Sequence, residues 1–161
     1  MYDFNAQADG DKATLYEDLL AAAEAVTNDE PDAIANMANV AALIWQFLPD
    51  LNWSGFYRMV GGELVLGPFQ GKPACIRIPL GRGVCGTAAA SGQTQLVEDV
   101  HAFPGHIACD AASASEIVVP VEVNGQVVAV LDLDSPTPAR FDAADREGLE
   151  MIMARIGKRL A

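Results

Sequence analysis

Basic residues are scarce in this chain of 161 residues, which has ten lysines and arginines against 22 aspartates and glutamates. The formal net charge is −12 at pH 7. A nucleic-acid-binding protein needs a basic footprint for the phosphates, and no such footprint is visible in the sequence. The composition therefore excludes nucleic acid as a partner, and the acidity itself indicates only solubility.

Long hydrophobic runs are also missing, although the hydrophobic fraction of 51% excludes a disordered chain. The longest apolar run, Val40 to Trp45, is far shorter than the roughly 20 residues that a helix needs to span a bilayer. The first ten residues contain neither the basic region nor the apolar region of a signal peptide. We therefore expect a cytoplasmic protein with no membrane partner.

Cysteine is rare, and its count of three is odd. An odd count argues against a disulfide framework of the secreted type. In a reducing compartment Cys75, Cys85 and Cys109 are either buried small hydrophobic residues or reactive thiols. The buried kind is more common, so a reactive role needs support from neighbouring residues.

The hydrophobic periodicity predicts one α+β domain over residues 1–161, in which helices cover an antiparallel sheet. Two N-terminal helices are expected over about 11–48, the sheet and its loops over about 52–136, and a C-terminal helix over about 142–160. The sheet region contains predicted strands and one short helix: strands 53–60, 63–67, 74–79, 95–98, 116–123 and 126–134, and helix 84–91. Gly61-Gly62 and Asn124-Gly125 are typical hairpin turns.

A polar loop around Cys109 interrupts this pattern between two predicted strands. It brings His101, His106, Asp110 and Glu116 close to the thiol along the chain. Loops of this length inside a compact domain often carry function. A neighbouring cation or helix N–H groups could stabilise a Cys109 thiolate, and two further thiols make disulfide exchange a natural second step.

Zinc is a competing explanation, because His101, His106 and Cys109 could join Cys75 or Cys85 as ligands. None of the spacings is a C-x-x-C or H-x₃-H pair. Redox chemistry is therefore favoured over metal binding, and no metal ligand is predicted.

The stretch Gly81 to Gly86 matches the dinucleotide-binding fingerprint literally and lies between a strand and a helix. That fingerprint belongs to a βαβ unit with a full-length crossover helix, whereas the predicted helix is short and the strands are hairpin-linked. We therefore favour another role for the glycines, which would let backbone N–H groups approach an anionic group of a ligand at a helix start.

Two sets of side chains are predicted to share a face of the sheet. Asp132 and Asp134 alternate on one strand, and Glu116 lies at the end of the Cys109 loop. Either the strand end that carries Asp132 and Asp134 is already solvated, or its face is covered and the carboxylates need a cation or a shared proton. In the second case three inward carboxylates can bind a substrate ammonium, and one with a raised pKa can act as a general acid. Trp53 and Tyr57, four apart on a strand, are either core or the apolar wall of a small pocket.

Five segments together resemble the GAF-domain free methionine-(R)-sulfoxide reductases: Gln70–Cys75, Gly83–Gly86, Asp99–Asp110, Ser115–Val118 and Leu131–Pro136. The resemblance covers about residues 52–136 and includes all three cysteines. A plain GAF sensor domain would share the fold but not this set of cysteines. The resemblance implies a GAF-like antiparallel sheet flanked by N-terminal and C-terminal helices.

The resemblance also implies roles for the three thiols. Cys109 corresponds to the catalytic thiol, and Cys75 and Cys85 correspond to the cysteines that resolve its sulfenic acid, with Cys75 favoured as the principal one. The implied external reductant is thioredoxin or another dithiol, the implied assembly is a homodimer, and no bound cofactor is implied. The sequence does not decide between the two resolving cysteines.

The same resemblance assigns the substrate pocket. Glu116, Asp132 and Asp134 correspond to the carboxylates that hold the substrate amine and the sulfoxide oxygen, with Glu116 or Asp134 as the general acid. Trp53 and Tyr57 correspond to the pocket for the S-methyl group. The expected activity is reduction of free methionine-(R)-sulfoxide through a sulfenic acid and an intramolecular disulfide. The alternatives are a non-catalytic GAF module that binds a ligand or senses oxidants, and a structural zinc protein.

Overall fold

The structure is a computed structural model and describes residues 3–6, 10–107 and 110–161. Two helices open the fold, α1 (Lys12–Val26) and α2 (Ala33–Phe47). The Asp11 and Asp32 side chains cap them by accepting hydrogen bonds from the backbone N–H groups of Thr14 and Ala35. Both helices therefore begin where a short polar side chain satisfies the first free N–H groups.

Six antiparallel strands form one sheet in the order β3-β2-β1-β6-β5-β4. Their bounds are β1 (Trp53–Val60), β2 (Glu63–Gly71), β3 (Arg77–Ile78), β4 (Gln95–Val97), β5 (Ser115–Val123) and β6 (Gln126–Ser135). The two predicted hairpin turns have positive φ angles at both central residues, as such turns require. The predicted α+β class with an antiparallel sheet is confirmed.

Two predicted strand bounds are wrong. β2 continues beyond Gly67 to Gly71, because the pairing with β1 shifts register after Tyr57↔Leu66 and resumes at Gly55↔Phe69. β3 shrinks from 74–79 to two residues. In the segment before it, the Ile76 carbonyl still accepts a backbone hydrogen bond from Leu66 of β2. The carbonyls of Lys72 and Cys75 accept hydrogen bonds from the Trp53 and Tyr57 side chains.

The remaining helices are α3 (Gly83–Ser91) and α4 (Ala143–Ile156), which is followed by a 3₁₀ turn at Gly157–Leu160. Gly92 ends α3 in the left-handed conformation with φ 66°, as predicted. Asp142 caps α4 in a reciprocal pair with Asp145. In the part of the chain that the structure describes, no helix has the length and apolar character needed to cross a membrane.

The two faces of the sheet bury different cores. One face packs against α2 and α4 through aliphatic side chains such as Ile117, Leu131 and Leu133, and α1 packs on these two helices. The other face packs against α3 and the long loops, and its core includes Trp53 and Tyr57. Because side chains alternate along a strand, β1, β5 and β6 each supply residues to both cores.

Candidate active site

A cavity lies on the second face, between the sheet, the start of α3 and the loops before β3 and β5. Six of the eight residues predicted for the site line it: Trp53, Tyr57, Cys85, Glu116, Asp132 and Asp134. Cys75 belongs to the same core, next to the cavity residue Ala74. Cys109 lies outside the described residues.

The three carboxylates come together through the register of β5 and β6. Glu116 pairs directly with Asp134, and Asp132 is two residues earlier on the same face of β6. Glu116 and Asp132 are each only 6% exposed. Burial, followed by the negative charges of the neighbouring carboxylates, raises the pKa of all three groups well above the usual range.

Asp132 is the least satisfied member of this cluster. Its Oδ1 atom is buried and has no hydrogen-bond partner among the described residues. Ligand atoms of Cys85, Glu116 and Asp132 lie within 4.8 Å of one another. A buried polar atom without a partner is costly, so this corner of the cavity is suited to a cationic group, either a metal ion or an ammonium.

The two described cysteines differ in state. Cys85 is a free thiol, 4% exposed, in the first turn of α3. Burial, and then the charges of Asp132 and Glu116, raise the pKa of this thiol well above its usual value. Cys85 is therefore protonated and a poor nucleophile near neutral pH. Cys75 is half-buried and disulfide-bonded.

An aromatic wall faces the carboxylates. The rings of Trp53 and Tyr57 stack with centroids 5.8 Å apart, which confirms that the two residues share a face. Phe69 extends the stack, 5.1 Å from Trp53. Burial, and then the charge of Asp132, raises the pKa of Tyr57, so its hydroxyl stays protonated and donates to the Cys75 carbonyl at 2.9 Å. Phe69 was missed because the predicted strand ended at Gly67.

Several loop residues complete the cavity and were not assigned a role from the sequence. The His106 Nε2 atom is 3.6 Å from Glu116 Oε2, and burial lowers the pKa of His106, which favours the neutral imidazole. A hydrogen bond from Ser113 partly offsets the raised pKa of Asp134. Asn52 donates to the Ser113 hydroxyl at 3.2 Å. His106 and Ser113 belong to the polar loop whose composition predicts function.

The glycine-rich stretch forms the start of α3, and Arg82, Gly83 and Val84 line the cavity there. Arg82 makes no side-chain cap. Gly83 has φ 62°, and a Cβ atom on it would lie 3.1 Å from Ile107. The strands on either side of α3 lie at opposite edges of an antiparallel sheet. α3 is therefore not the crossover helix of a dinucleotide-binding unit.

Comparison with known proteins points to one family. A family model for the GAF domain matches residues 17–160. Free methionine-R-sulfoxide reductase of Escherichia coli is 52% identical over 150 residues, which cover 93% of this chain and 91% of that protein. The protein of the same name in Saccharomyces cerevisiae is 43% identical, over 91% and 86% of the two chains.

A solved structure has the same overall architecture. The free methionine-R-sulfoxide reductase of Neisseria meningitidis, in complex with its substrate, superposes with a TM-score of 0.94 at 46% identity. The match covers 99% of this chain and 96% of that one. The family resemblance found in the sequence segments is thereby confirmed over nearly the whole fold.

Proposed function

Because the chain belongs to the free methionine-R-sulfoxide reductases of the GAF family, we propose that it reduces free methionine-(R)-sulfoxide to methionine with Cys109 as the nucleophile. The observation that carries the proposal is the cavity in which three buried carboxylates face an aromatic wall. A free amino acid offers that cavity both an ammonium group and a methyl sulfoxide.

The carboxylate cluster supports the preference for a free amino acid. Glu116 and Asp132 are both buried. Among the described residues, no basic side chain pairs with Asp132, and its Oδ1 atom has no hydrogen-bond partner. A substrate ammonium would supply both the charge and the hydrogen bond. A methionine residue inside a polypeptide has an amide in place of the ammonium and would leave this charge unbalanced.

The opposite end of the substrate would lie against the start of α3. The first N–H groups of a helix favour an anionic partner, and Gly83 and Val84 line the cavity at that point. We assign the substrate carboxylate to these N–H groups. The S-methyl group would then contact Trp53 and Tyr57, whose stacked rings give the cavity its apolar side.

The sulfur step is assigned to Cys109 because its described neighbours Ile107 and Asp110 both line the cavity. Cys85 is less suited, since the raised pKa of its thiol disfavours the thiolate. The Cys109 sulfur attacks the sulfoxide sulfur while a carboxylic acid protonates the oxygen. The protonated oxygen leaves the substrate sulfur as water, and a water molecule then attacks the Cys109 sulfur and breaks its bond to the substrate sulfur. Methionine is released, reduced by two electrons, and Cys109 is oxidised to the sulfenic acid.

Glu116 and Asp134 are the candidates for the general acid. Both carboxyl groups have a raised pKa, for which burial is the largest cause, so each retains a proton at a higher pH than an exposed carboxyl group. A protonated carboxyl group can transfer its proton to the sulfoxide oxygen as that oxygen gains negative charge. Asp132, whose Oδ1 atom has no hydrogen-bond partner in the described part of the chain, is assigned instead to the ammonium.

A second thiol then condenses with the sulfenic acid, releasing water and forming a disulfide that thioredoxin reduces. Cys75 is favoured as the principal resolving residue because it is already disulfide-bonded in this structure, whereas Cys85 is a buried free thiol. This cycle requires a reducing compartment, so the proposal includes a cytoplasmic location. The homodimer implied by the family resemblance remains a prediction that light scattering can test.

The proposal is tested by incubating the purified protein and dithiothreitol with the R and S sulfoxides of free methionine and quantifying methionine. We expect turnover of the R form only. The Cys109→Ser variant should lose turnover while its circular dichroism spectrum and melting temperature stay unchanged. Full turnover by Cys109→Ser would refute Cys109 as the nucleophile.

A substrate comparison tests the role of the carboxylates. N-acetylmethionine-(R)-sulfoxide keeps the methyl sulfoxide and the carboxylate but lacks the ammonium. We expect its kcat/KM to be at least roughly 100-fold below that of the free amino acid, because a buried anion is then left without its partner. Equal kcat/KM values for the two sulfoxides would refute ammonium binding as the source of specificity.

A further inference from the structure

Charge is unevenly distributed along this acidic chain. Residues 64–97 contain no aspartate or glutamate, yet they contain three cations, Lys72, Arg77 and Arg82. The remaining residues therefore carry all 22 carboxylates against seven cations. All three cations of the carboxylate-free stretch fall within eleven residues that also include Cys75.

These three cations, here called the basic rim, surround an exposed segment beside the cavity. Lys72 and Arg82 both line the cavity, and Arg77 lies between them in the sequence, on the edge strand β3. The Lys72 and Arg77 side chains are 74% and 60% exposed. Among the described residues Lys72 faces one carboxylate, Asp110, at 3.7 Å and Arg77 faces Glu63 at 2.5 Å, while no ion pair of Arg82 is seen.

The segment also exposes apolar surface at its centre. Ile76, directly after Cys75, is 68% exposed, and Leu80 is 43% exposed. The backbone under them is fixed, because Tyr57 and Trp53 donate hydrogen bonds to the carbonyls of Cys75 and Lys72. An apolar centre with a charged rim on a fixed backbone is the composition of a transient protein interface.

We infer that the basic rim and the exposed Ile76 form the docking surface for a protein dithiol reductant whose own surface is acidic around its reactive thiol. The inference rests on the proposed function, since it concerns the disulfide that the catalytic cycle leaves at Cys75. Elsewhere the protein is strongly acidic and would repel such a partner. A second carboxylate-free stretch with three cations, residues 151–161, begins on α4 on the other face of the sheet. Of the two stretches, the one with the basic rim contains Cys75, so charge complementarity there directs the partner to the disulfide.

The exchange itself needs no further reactant. A thiolate of the partner attacks the Cys75 sulfur, forms a mixed disulfide and releases the other cysteine of the enzyme's disulfide as a thiolate. The second thiol of the partner then attacks the mixed disulfide and releases Cys75. Two electrons pass from the partner, which becomes a disulfide, to the enzyme, which regains two thiols.

The test measures the second-order rate constant for reduction of the oxidised protein by reduced thioredoxin, with free thiols quantified by alkylation and mass spectrometry. No sulfoxide is present, so the result does not depend on catalytic turnover. Arg77→Glu reverses the charge of one member of the basic rim without altering the cavity lining. Arg155→Glu is the matched control, because Arg155 is 62% exposed and pairs with Glu24 at 3.3 Å on α1, at the opposite face of the sheet.

We expect Arg77→Glu to lower the rate constant with thioredoxin roughly 3- to 10-fold at low ionic strength, and the difference to shrink as salt is added. The rate constant with dithiothreitol, an uncharged small dithiol, should stay unchanged, and Arg155→Glu should behave as the unmodified protein. Ile76→Ser should lower the thioredoxin rate at every salt concentration, whereas Ile34→Ser, on α2 and 42% exposed, should not.

Equal rate constants for Arg77→Glu and Arg155→Glu would overturn the docking surface, whether both variants were slowed or neither was. A shift of Arg77→Glu to a smaller oligomer in light scattering would also overturn it, because the face would then bind a second copy of this chain. Sulfoxide turnover with dithiothreitol is measured separately, so failure of the proposed function is distinguishable from failure of this surface.

Discussion

Asp145 lies where α4 packs against α1, and Asp132 lies on the cavity face of the sheet; the two side chains are 0% and 6% exposed. Asp145 accepts hydrogen bonds from the Tyr16 hydroxyl at 2.8 Å, Lys12 Nζ at 2.7 Å and the Asp142 backbone N–H at 2.9 Å. By contrast, Asp132 keeps a buried Oδ1 atom that no described residue partners.

The difference separates a carboxylate that stabilises the fold from one kept for a ligand. The donors around Asp145 come from α1 and from the segment that caps α4, so this side chain joins the two ends of the chain. The neighbours of Asp132 are a buried thiol and further carboxylates, none of which balances its charge. A folded protein tolerates a buried carboxylate without a counter-charge where a bound ligand supplies that charge.

The largest effect is expected at the satisfied carboxylate. Asp145→Asn leaves Lys12 and the 10%-exposed Arg140 side chain without their buried counter-charge, and we expect the free energy of unfolding to fall by about 3 kcal/mol. Urea unfolding followed by circular dichroism measures it. Glu24→Gln, which removes the exposed pair with Arg155, is the control and should cost less than about 1 kcal/mol. Equal losses of unfolding free energy in Asp145→Asn and Glu24→Gln would contradict a stabilising role for the Asp145 carboxylate.

The unsatisfied carboxylate should behave in the opposite way. Asp132→Asn is expected to lower kcat/KM for free methionine-(R)-sulfoxide roughly 10- to 100-fold, the range of a hydrogen bond to a charged group. The free energy of unfolding should not fall, because the amide needs no counter-charge. The kcat/KM for N-acetylmethionine-(R)-sulfoxide should change little, since that substrate has no ammonium to lose. A parallel fall for both substrates would contradict the assignment.

The pH dependence of stability should differ in sign between the two regions. Burial is the main cause of the raised pKa of Glu116, so the folded protein retains a proton that the unfolded chain loses above about pH 4.3. The contribution of Glu116 to the free energy of unfolding is therefore lost as the pH rises. The stability of Glu116→Gln relative to the unmodified protein should increase from about pH 4 to about pH 8, in unfolding experiments across that range.

Asp142 supplies the opposite case near Asp145. Its hydrogen bond with Lys12 lowers the pKa of Asp142 to about 2. This group stabilises the fold above its unfolded pKa of about 3.9, and the stabilisation is lost as the pH falls toward 2. Asp142→Asn should thus be most destabilising at neutral pH and least destabilising near pH 2. If the stabilities of Glu116→Gln and Asp142→Asn, each relative to the unmodified protein, changed with pH in the same direction, the opposite pKa shifts of Glu116 and Asp142 would be contradicted.

The residues that share a face of the sheet could be predicted from the sequence. Strand periodicity alone places Asp132 with Asp134 and Trp53 with Tyr57, since alternate side chains point to the same side. The register of β5 and β6 then brings Glu116 opposite Asp134. The turn at Asn124-Gly125 starts the pairing at Val123↔Gln126, which by itself would place Glu116 opposite Leu133. A register shift between Val121 and Glu122 moves Glu116 opposite Asp134 instead, and strand alternation does not encode that shift. The catalytic roles of these residues remain predictions.

Contacts between distant parts of the chain could not be predicted in this way. The hydrogen bond between Lys12 and Asp145 joins residues 133 positions apart, and the sequence around either residue does not indicate which residue it contacts. The extension of β2 to Gly71 depends on a register shift against β1, which hydrophobic alternation does not encode. The hydrogen bond from Tyr57 to the Cys75 carbonyl is a further contact of this kind, and among residues 74–76 only the Ile76 carbonyl is seen to accept a backbone hydrogen bond from β2, at Leu66.

That last hydrogen bond gives the smallest expected effect. Tyr57→Phe removes a neutral hydrogen bond but keeps the stacking on Trp53, so we expect the free energy of unfolding to fall by about 1 kcal/mol. Tyr16→Phe is the matched variant, because its hydroxyl donates to the buried Asp145 carboxylate, and it should cost about 1.5–3 kcal/mol. Urea unfolding of both variants gives the comparison. Equal losses at the two tyrosines would show that Asp145 does not depend on its donors in the way its geometry indicates.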